Sequence, residues 1–260
     1  MQPNRFKQVL AEGRIPVGHM LLEFVTRGIP FMLEEAGADF ALIDMEHTGL
    51  TLTDIANMMA WFKATKVAPF VRVPPLQYDY IPRVLDVGAL GVMFSDVRSG
   101  AQARAVVDAA KYPPMGKRGV ALRTAHTEWK PVNPAEFIKY ANENTTVICM
   151  IESQEGLNHV DEIAATPGVD ALWPGQFDLS MDLGIIAQFQ HPQMIEAFKL
   201  IAETAKKHGK VAVTQPANIA QAQEWLDLGY NVVSCAADFF FYVDALKQYI
   251  TDVRRLTESR

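Results

Sequence analysis

Four short segments place charged or titratable side chains just after apolar runs. They are Asp44–His47, Arg72, Glu152 and Asp178, which follow FALI, APFV, ICMI and DALWPGQF. Carboxylates are oxygen ligands suited to hard divalent cations, and an imidazole can exchange a proton near neutral pH. A planar guanidinium matches a substrate carboxylate or a developing enolate. These residue types indicate metal-assisted acid–base chemistry, provided that the fold brings the four segments together.

Short β-rich runs alternate with amphipathic segments along the whole chain. Strands are predicted at Val17–Leu22, Phe40–Met45, Ala68–Val73, Gly91–Ser95, Thr146–Ile151, Ala171–Trp173, Val211–Thr214 and Asn231–Cys235. Helices are predicted between them, for example at Leu52–Lys63, Ile81–Val87, Gly100–Ala110, Pro134–Asn142, Met194–His208 and Ile219–Leu228, because apolar residues recur there every three or four positions. Eight such units predict a single (β/α)8 TIM barrel over residues 1–260. A doubly wound open sheet is the main alternative, but neither GxGxxG nor GxxxxGK[ST] occurs.

Glu152 and Asp178 follow adjacent predicted strands. Functional side chains of such a barrel cluster where the strands end, and neighbouring strands lie ~4.8 Å apart. Two carboxylates this close would repel each other without a cation, so a divalent metal site is one interpretation of the pair. The alternative interpretation is a helix N-cap for Asp178 and a surface acid for Glu152.

Asp44 and His47 suit an oriented base, because a carboxylate can fix the tautomer of a nearby imidazole. The alternative is a structural histidine. Arg72 ends a strongly apolar strand, where burial without an anionic partner would be costly. It would therefore bind a substrate oxygen or form an internal ion pair, for example with Glu46 or Glu152. The four segments contain no lysine, which disfavours a Schiff-base mechanism.

The bulk composition excludes several classes of partner. The net charge of -6 argues against a nucleic-acid surface. No stretch approaches the ~20 apolar residues needed to span a bilayer, and the first residues lack the apolar core of a signal peptide. We therefore expect a cytoplasmic protein that acts on small molecules.

The sequence resembles the HpcH/HpaI aldolases, class II pyruvate aldolases of the phosphoenolpyruvate/pyruvate barrel superfamily. The similarity covers nearly the whole chain and is concentrated in GADFALIDMEHTGL, PFVRVPP, the YPPMGKRGV loop and the pair formed by VICMIE and FDLS. The resemblance implies reversible cleavage of a 4-hydroxy-2-oxo acid into pyruvate, or a related 2-oxo acid, and an aldehyde. It also implies a homohexamer built as a trimer of dimers, with the C-terminal helix exchanged between subunits. The terminal segment Phe239–Leu256 has the apolar content for that exchange, and packing on its own barrel is the alternative interpretation.

The resemblance also implies roles for individual residues. It assigns the metal ligands to Glu152 and Asp178, the base to His47 with Asp44, enolate stabilisation to Arg72, and an acid supplied by a neighbouring subunit to Asp86. The implied cofactor is Mg²⁺ or Mn²⁺, with Co²⁺ or Zn²⁺ as alternatives. Acceptor recognition is expected from the long segment Tyr112–Asn133, with Arg118 and Arg123 as anion contacts.

One segment departs from the family pattern. Where the family commonly has small residues before the metal-binding aspartate, this chain has Gln176 and Phe177. We expect both to contact the substrate, and they leave two alternatives open. One is a decarboxylase or another carbon–carbon lyase acting on an oxaloacetate-like acid. The other is a catalytically weak oligomer that only binds ligands.

Overall fold

A computed structural model of the protein describes residues 1–75 and 77–258, and its core is a closed barrel of eight parallel strands. The strands are β1 (Val17–Leu21), β2 (Phe40–Asp44), β3 (Ala68–Val73), β4 (Gly91–Phe94), β5 (Thr146–Ile151), β6 (Ala171–Pro174), β7 (Val211–Thr214) and β8 (Val232–Ala237). Each strand pairs with its neighbours in the sequence, and β8 closes the barrel on β1. The predicted (β/α)8 fold is confirmed.

Twelve α-helices of the described chain surround or extend this barrel. They are α1 (Arg5–Ala11), α2 (Ile29–Glu35), α3 (Leu52–Phe62), α4 (Tyr80–Val87), α5 (Gly100–Ala110), α6 (Pro134–Asn144), α7 (Gln154–Asn158), α8 (Val160–Ala165), α9 (Gln176–Asp182), α10 (Pro192–Lys207), α11 (Ile219–Asp227) and α12 (Asp238–Glu258). A 3-10 turn lies at Ala125–Thr127. The six helices predicted above match α3, α4, α5, α6, α10 and α11 to within two residues at each end.

The alternation of side chains along each strand separates two apolar layers. Phe40 and Leu42 point into the barrel and pack with Phe70, whereas Ala41 and Ile43 pack against the helices. The same period of two carries Asp44 and Arg72 into the barrel interior at the carboxyl ends of β2 and β3. These two residues are also direct neighbours in the strand register.

Helix α1 closes the opposite end of the barrel. The ring of Phe6 packs edge-on against Phe40 and Phe70, with centroid distances of 5.4 and 5.2 Å. Its fully buried position makes it part of the interior apolar cluster. The interior is therefore sealed at the amino ends of the strands, and a ligand must enter at the carboxyl ends.

The last helix, α12, makes few contacts with its own barrel. Its first residue, Asp238, is buried and accepts hydrogen bonds from the backbone N–H groups of Leu22, Glu23 and Phe24 after β1. Beyond that point, large apolar side chains are exposed at Phe240, Phe241, Tyr242, Val243, Leu246, Tyr249, Ile250, Val253 and Leu256. Within the described residues, no helix has the length and apolar character required to cross a membrane.

Candidate active site

A buried ion pair anchors the rim of the barrel. Arg72 donates from Nε to Asp44 Oδ1 at 2.7 Å and from Nη2 to Oδ2 at 2.6 Å. Asp44 is completely buried and Arg72 nearly so. The bidentate contact fixes the plane of the guanidinium. Asp44 therefore binds Arg72 rather than His47, which differs from the predicted Asp44–His47 pair.

Glu46 links this ion pair to the histidine. Its Oε2 lies 3.2 Å from Arg72 Nη1 and 3.8 Å from His47 Nε2. The same oxygen accepts a hydrogen bond of 2.6 Å from the Ser95 hydroxyl. The His47 side chain is 59% exposed, so its imidazole lies at the mouth of the site and can reach both solvent and a bound ligand.

Glu152 and Asp178 form a second acidic group at the same rim. Glu152 is buried just after β5, and Asp178 lies exposed in the first turn of α9. Gly175 separates β6 from α9, and a Cβ atom added to it would lie 2.2 Å from Glu152 Oε2. Only glycine leaves the carboxylate its space. Among the described residues, no hydrogen bond or ion pair engages the Asp178 carboxylate.

The environment of Glu152 disfavours its charge. Burial, followed by the negative charges of Glu46 and Asp178, raises the pKa of Glu152 to about 7. A hydrogen bond from the Asp96 N–H and the positive charge of Arg72 oppose this effect. The carboxylates outnumber the available cations, which is the condition that a divalent metal ion relieves.

The donor set fits a hard divalent cation with few protein ligands. Glu152 and Asp178 provide carboxylate oxygens, the type of ligand that Mg²⁺ binds while it keeps several waters. No group of three or more His, Cys, Asp or Glu side chains suited to a metal occurs in residues 1–75 and 77–258. The pair would thus leave most coordination positions to water and substrate.

A cavity of about 410 Å³ opens beside these groups. Its polar lining comes from His47, Arg72, Gln176, Asp178 and Gln215. The apolar lining includes six aromatic side chains, namely Trp173, Phe177, Phe189, Trp225, Phe239 and Phe240. The described lining contains no lysine.

Gln176 and Phe177, the two residues predicted to contact the substrate, both line this cavity. The buried Gln176 Oε1 has no hydrogen-bond partner in the described chain, while its Nε2 lies 3.5 Å from the Gln215 carbonyl oxygen. Phe177 is 60% exposed and packs edge-on against Phe189 at a centroid distance of 4.9 Å. Gln176 therefore offers a free acceptor and Phe177 an apolar surface.

Asp86, Arg118 and Arg123 do not join this site within one chain. Asp86 lies near the end of α4, and its Oδ1 is 2.5 Å from Nη2 of Arg118. The guanidinium of Arg118 also stacks on the ring of Tyr112. Arg123 is exposed on the same long segment. Ala125 of this segment accepts a hydrogen bond from Lys63, the residue at the end of α3. The segment therefore lies at the closed end of its own barrel.

Ser95 and the Asp96 backbone are site groups that the sequence did not indicate, and Glu46 was expected only as an ion-pair partner of Arg72, an ion pair that is observed. The sequence does indicate a place for Glu46 in the site, because it lies two residues after Asp44 and residues two apart in an extended chain point to the same face. Asp96 adopts a left-handed backbone conformation, with φ of 51°, which directs its N–H towards Glu152. Aspartate tolerates this conformation better than most residues, but a backbone donor leaves little trace in a sequence.

Comparison with known proteins agrees with this geometry. Residues 28–245 match the family described as HpcH/HpaI aldolase/citrate lyase. The chain belongs to this family. A 5-keto-4-deoxy-D-glucarate aldolase from Enterobacter sp. (strain 638) is 32% identical over 248 residues, which cover 95% of each chain. These relationships make the protein a carbon–carbon lyase and confirm the predicted family.

Two solved structures share the fold over almost their full length. An HpcH/HpaI aldolase from Desulfitobacterium hafniense DCB-2 is 33% identical with a TM-score of 0.88, covering 98% of this chain and 96% of the other. An HpcH/HpaI aldolase/citrate lyase family protein from Burkholderia cenocepacia J2315 is 29% identical with a TM-score of 0.88, covering 96% and 99%.

Proposed function

We propose that the protein is a divalent-metal-dependent class II aldolase that reversibly cleaves a 4-hydroxy-2-oxo acid into pyruvate and an aldehyde. One observation carries this proposal. The carboxylate of Asp178, which no hydrogen bond or ion pair engages in the described chain, shares a cavity with the immobilised guanidinium of Arg72, and the buried carboxylate of Glu152 lies close enough to both for their charges to shift its pKa. Mg²⁺ or Mn²⁺ bound to the two carboxylates would supply Lewis acidity for the 2-oxo acid.

Arg72 would stabilise the negative charge that develops on the 2-oxo oxygen. Asp44 occupies two of its five N–H groups, and Glu46 lies beside Nη1. The remaining N–H groups belong to a guanidinium that already has its final orientation. Such a preorganised donor costs no reorganisation when the enolate forms.

His47 would move the proton of the acceptor hydroxyl. In cleavage, the imidazole takes the proton from the 4-hydroxyl group as the bond between C3 and C4 breaks and the aldehyde forms. In synthesis it returns that proton to the new hydroxyl. Its position on the cavity lining, with Glu46 3.8 Å from Nε2, suits this exchange with the ligand and solvent.

Metal binding and activity should be measured together on variants of these residues. Glu152→Ala and Asp178→Ala should lose Mn²⁺ binding in calorimetry and pyruvate release in parallel. His47→Ala should keep the metal and lose turnover by about 10²-fold or more. Glu155→Ala removes an exposed acid nearby and should change neither. Full activity after exhaustive chelation would refute the metal-dependent mechanism.

The same enolate chemistry would serve a decarboxylase acting on an oxaloacetate-like acid. The two reactions differ in their second product. Aldol cleavage releases one aldehyde per pyruvate, and decarboxylation releases carbon dioxide. Quantifying both products from a 4-hydroxy-2-oxo acid and from oxaloacetate therefore decides between them.

We also infer a homohexamer in which α12 packs on another copy of the chain. The row of exposed apolar side chains along α12 supports this, because a monomer rarely leaves such a surface uncovered. The family resemblance suggests a trimer of dimers in which Asp86 reaches a neighbouring site. Analytical ultracentrifugation should give about six times the 28.9 kDa chain mass, and a monomer would exclude this assembly.

A further inference from the structure

We propose that Ser95 is a positioning residue for the lyase reaction, because its hydroxyl group holds the Glu46 carboxylate beside His47. This inference rests on the proposed function, in which His47 moves the proton of the 4-hydroxyl group. Ser95 does not line the cavity, so its effect on the reaction passes through Glu46.

The strand register places Glu46 and Ser95 on either side of Arg72. Asp44 on β2, Arg72 on β3 and Met93 on β4 are neighbours across the sheet. Glu46 lies two residues after Asp44, and Ser95 lies two residues after Met93, so their side chains point to the same face one layer higher. Because β2 and β4 are about 10 Å apart, the Glu46 side chain crosses the end of β3 to meet Ser95. Its Oε2 lies 3.2 Å from Arg72 Nη1 on the way.

The hydrogen bond between Ser95 and Glu46 is short and buried. Ser95 is completely buried, and its Oγ donates to Glu46 Oε2 at 2.6 Å. This distance is typical of a hydroxyl group that donates to a carboxylate. Within the described part of the chain, the Ser95 side chain makes this hydrogen bond and no other. A buried hydroxyl without its partner is unfavourable, so the serine and the carboxylate hold each other in place.

Both ends of Glu46 are therefore fixed. Its backbone N–H donates to Asp44 Oδ1 at 2.9 Å, and the Thr48 hydroxyl donates to the Asp44 carbonyl oxygen at 2.6 Å. These two bonds hold the turn that carries His47. At the other end of Glu46, the oxygen that Ser95 binds lies 3.8 Å from His47 Nε2. The positive charge that forms when the imidazole accepts the hydroxyl proton would thus lie beside a negative charge that is already in position.

The orientation of Arg72 does not depend on Ser95. Asp44 binds the guanidinium through Nε and Nη2, and this bidentate contact stays when the serine hydroxyl is removed. The Glu46 carboxylate would then be free to rotate away from His47. We therefore expect loss of Ser95 to slow turnover and to leave the binding of the 2-oxo acid nearly unchanged.

This hydrogen bond lies inside one chain. Ser95 is completely buried within its own barrel, and Arg72 is nearly so, so a second copy of the chain cannot pack directly against them. A neighbouring subunit that brings Asp86 to the site would add a carboxylate at its mouth. The hydrogen bond between Ser95 and Glu46 would stay in place, so the inference is the same for a monomer and for an oligomer.

Kinetics and ligand binding of Ser95 variants test the inference. The substrate is the 4-hydroxy-2-oxo acid that the Mn²⁺-loaded wild type cleaves fastest in a series of chain lengths, with pyruvate release as the signal. Ser95→Ala should lower kcat about tenfold. Its KM, and the dissociation constant of oxalate measured by calorimetry, should stay within about twofold of the wild type. Ser95→Cys keeps nearly the same volume but has a weak donor, so it should lose kcat to a similar extent.

Ser234→Ala is the matched control. Ser234 is also completely buried, but its hydroxyl donates only to the carbonyl oxygen of the adjacent Cys235 among the described residues. It does not line the cavity. The kcat of this variant should stay within about twofold of the wild type.

A double-mutant cycle shows whether Ser95 acts through Glu46. Glu46→Gln should lower kcat at least as much as Ser95→Ala, because it removes the negative charge beside His47. The double variant should then have a kcat within about twofold of Glu46→Gln alone, since the serine has no charge left to position. If the two losses multiply instead, Ser95 does not act through Glu46 and the inference is wrong.

The remaining outcomes separate this inference from the proposed function. An active wild type whose kcat is unchanged by Ser95→Ala would overturn the inference alone. Parallel loss of kcat and oxalate binding in Ser95→Ala would also overturn it, because a general disturbance of the site would then explain the result. A wild type without metal-dependent pyruvate release from any of the acids would refute the proposed function, and the role of Ser95 with it.

Discussion

The unfavourable charge of Glu152 should be measurable as a pH-dependent loss of stability in the metal-free protein. Its pKa is raised from 4.5 to about 7, first by burial and then by Glu46 and Asp178. Below pH 4.5 the carboxyl group is protonated in both the folded and unfolded states and has no effect. As the pH rises towards 7, the unfolded chain releases this proton before the folded protein does, so stability falls.

The size of the effect follows from the pKa. Each pKa unit corresponds to about 1.4 kcal/mol, so above pH 7 the folded protein bears a cost of about 3 kcal/mol. Glu152→Gln removes the ionisation and keeps the shape. The variant should therefore gain about 3 kcal/mol in free energy of unfolding at pH 8 and less than about 1 kcal/mol at pH 5.

Urea unfolding of chelator-treated protein, followed by circular dichroism at one protein concentration, measures both values. Glu203→Gln is the control, because Glu203 is an exposed acid on α10 and its removal should not change the pH dependence. A gain for Glu152→Gln that is the same at pH 5 and pH 8 would refute the argument. Saturating Mn²⁺ should stabilise the wild type more than the variant at pH 8, because only the wild type retains both ligands.

Two further substitutions test how the site is held. Asp44→Asn should cost about 3 kcal/mol in urea unfolding, because it leaves the buried Arg72 short of a charge partner. Asp79→Asn is the matched control, because it breaks the exposed ion pair between Arg83 and Asp79. It should lower the free energy of unfolding by less than about 1 kcal/mol. Gly175→Ala should weaken Mn²⁺ binding about tenfold or more by displacing Glu152. Gly119→Ala, with open space around its Cβ, should not. If Asp44→Asn and Asp79→Asn lower the free energy of unfolding equally, or if Gly175→Ala and Gly119→Ala weaken Mn²⁺ binding equally, the reasoning is wrong.

The barrel was predictable because its strands leave little ambiguity. Buried parallel strands are continuous apolar runs, and seven of the eight predicted strands end within one residue of the observed strand. Helices α7, α8 and α9 were not predicted. They have five to seven residues each, too short for a helical period to stand out. Tertiary packing rather than local pattern decides such short elements.

The partners within the site were harder to predict than its members. Asp44 and His47 are close in the sequence, which favoured pairing them, but strand parity and register place Asp44 opposite Arg72 inside the barrel. His47 lies beyond the strand end and faces Glu46 instead. The long segment that carries Arg123 gave no indication of which end of the barrel it covers, since its length alone does not encode direction.

The two large residues before Asp178 act differently from what their bulk suggests. The position in contact with Glu152 is Gly175, which is still small, so the space beside the proposed metal ligand is retained. Phe177 packs against Phe189 on the cavity wall. Gln176 keeps an unpartnered acceptor in the described chain. The departure from the family pattern therefore leaves the space beside the proposed metal ligand unchanged and alters the wall of the cavity, which is why a change of specificity rather than a loss of the metal site is the expected consequence of Gln176 and Phe177.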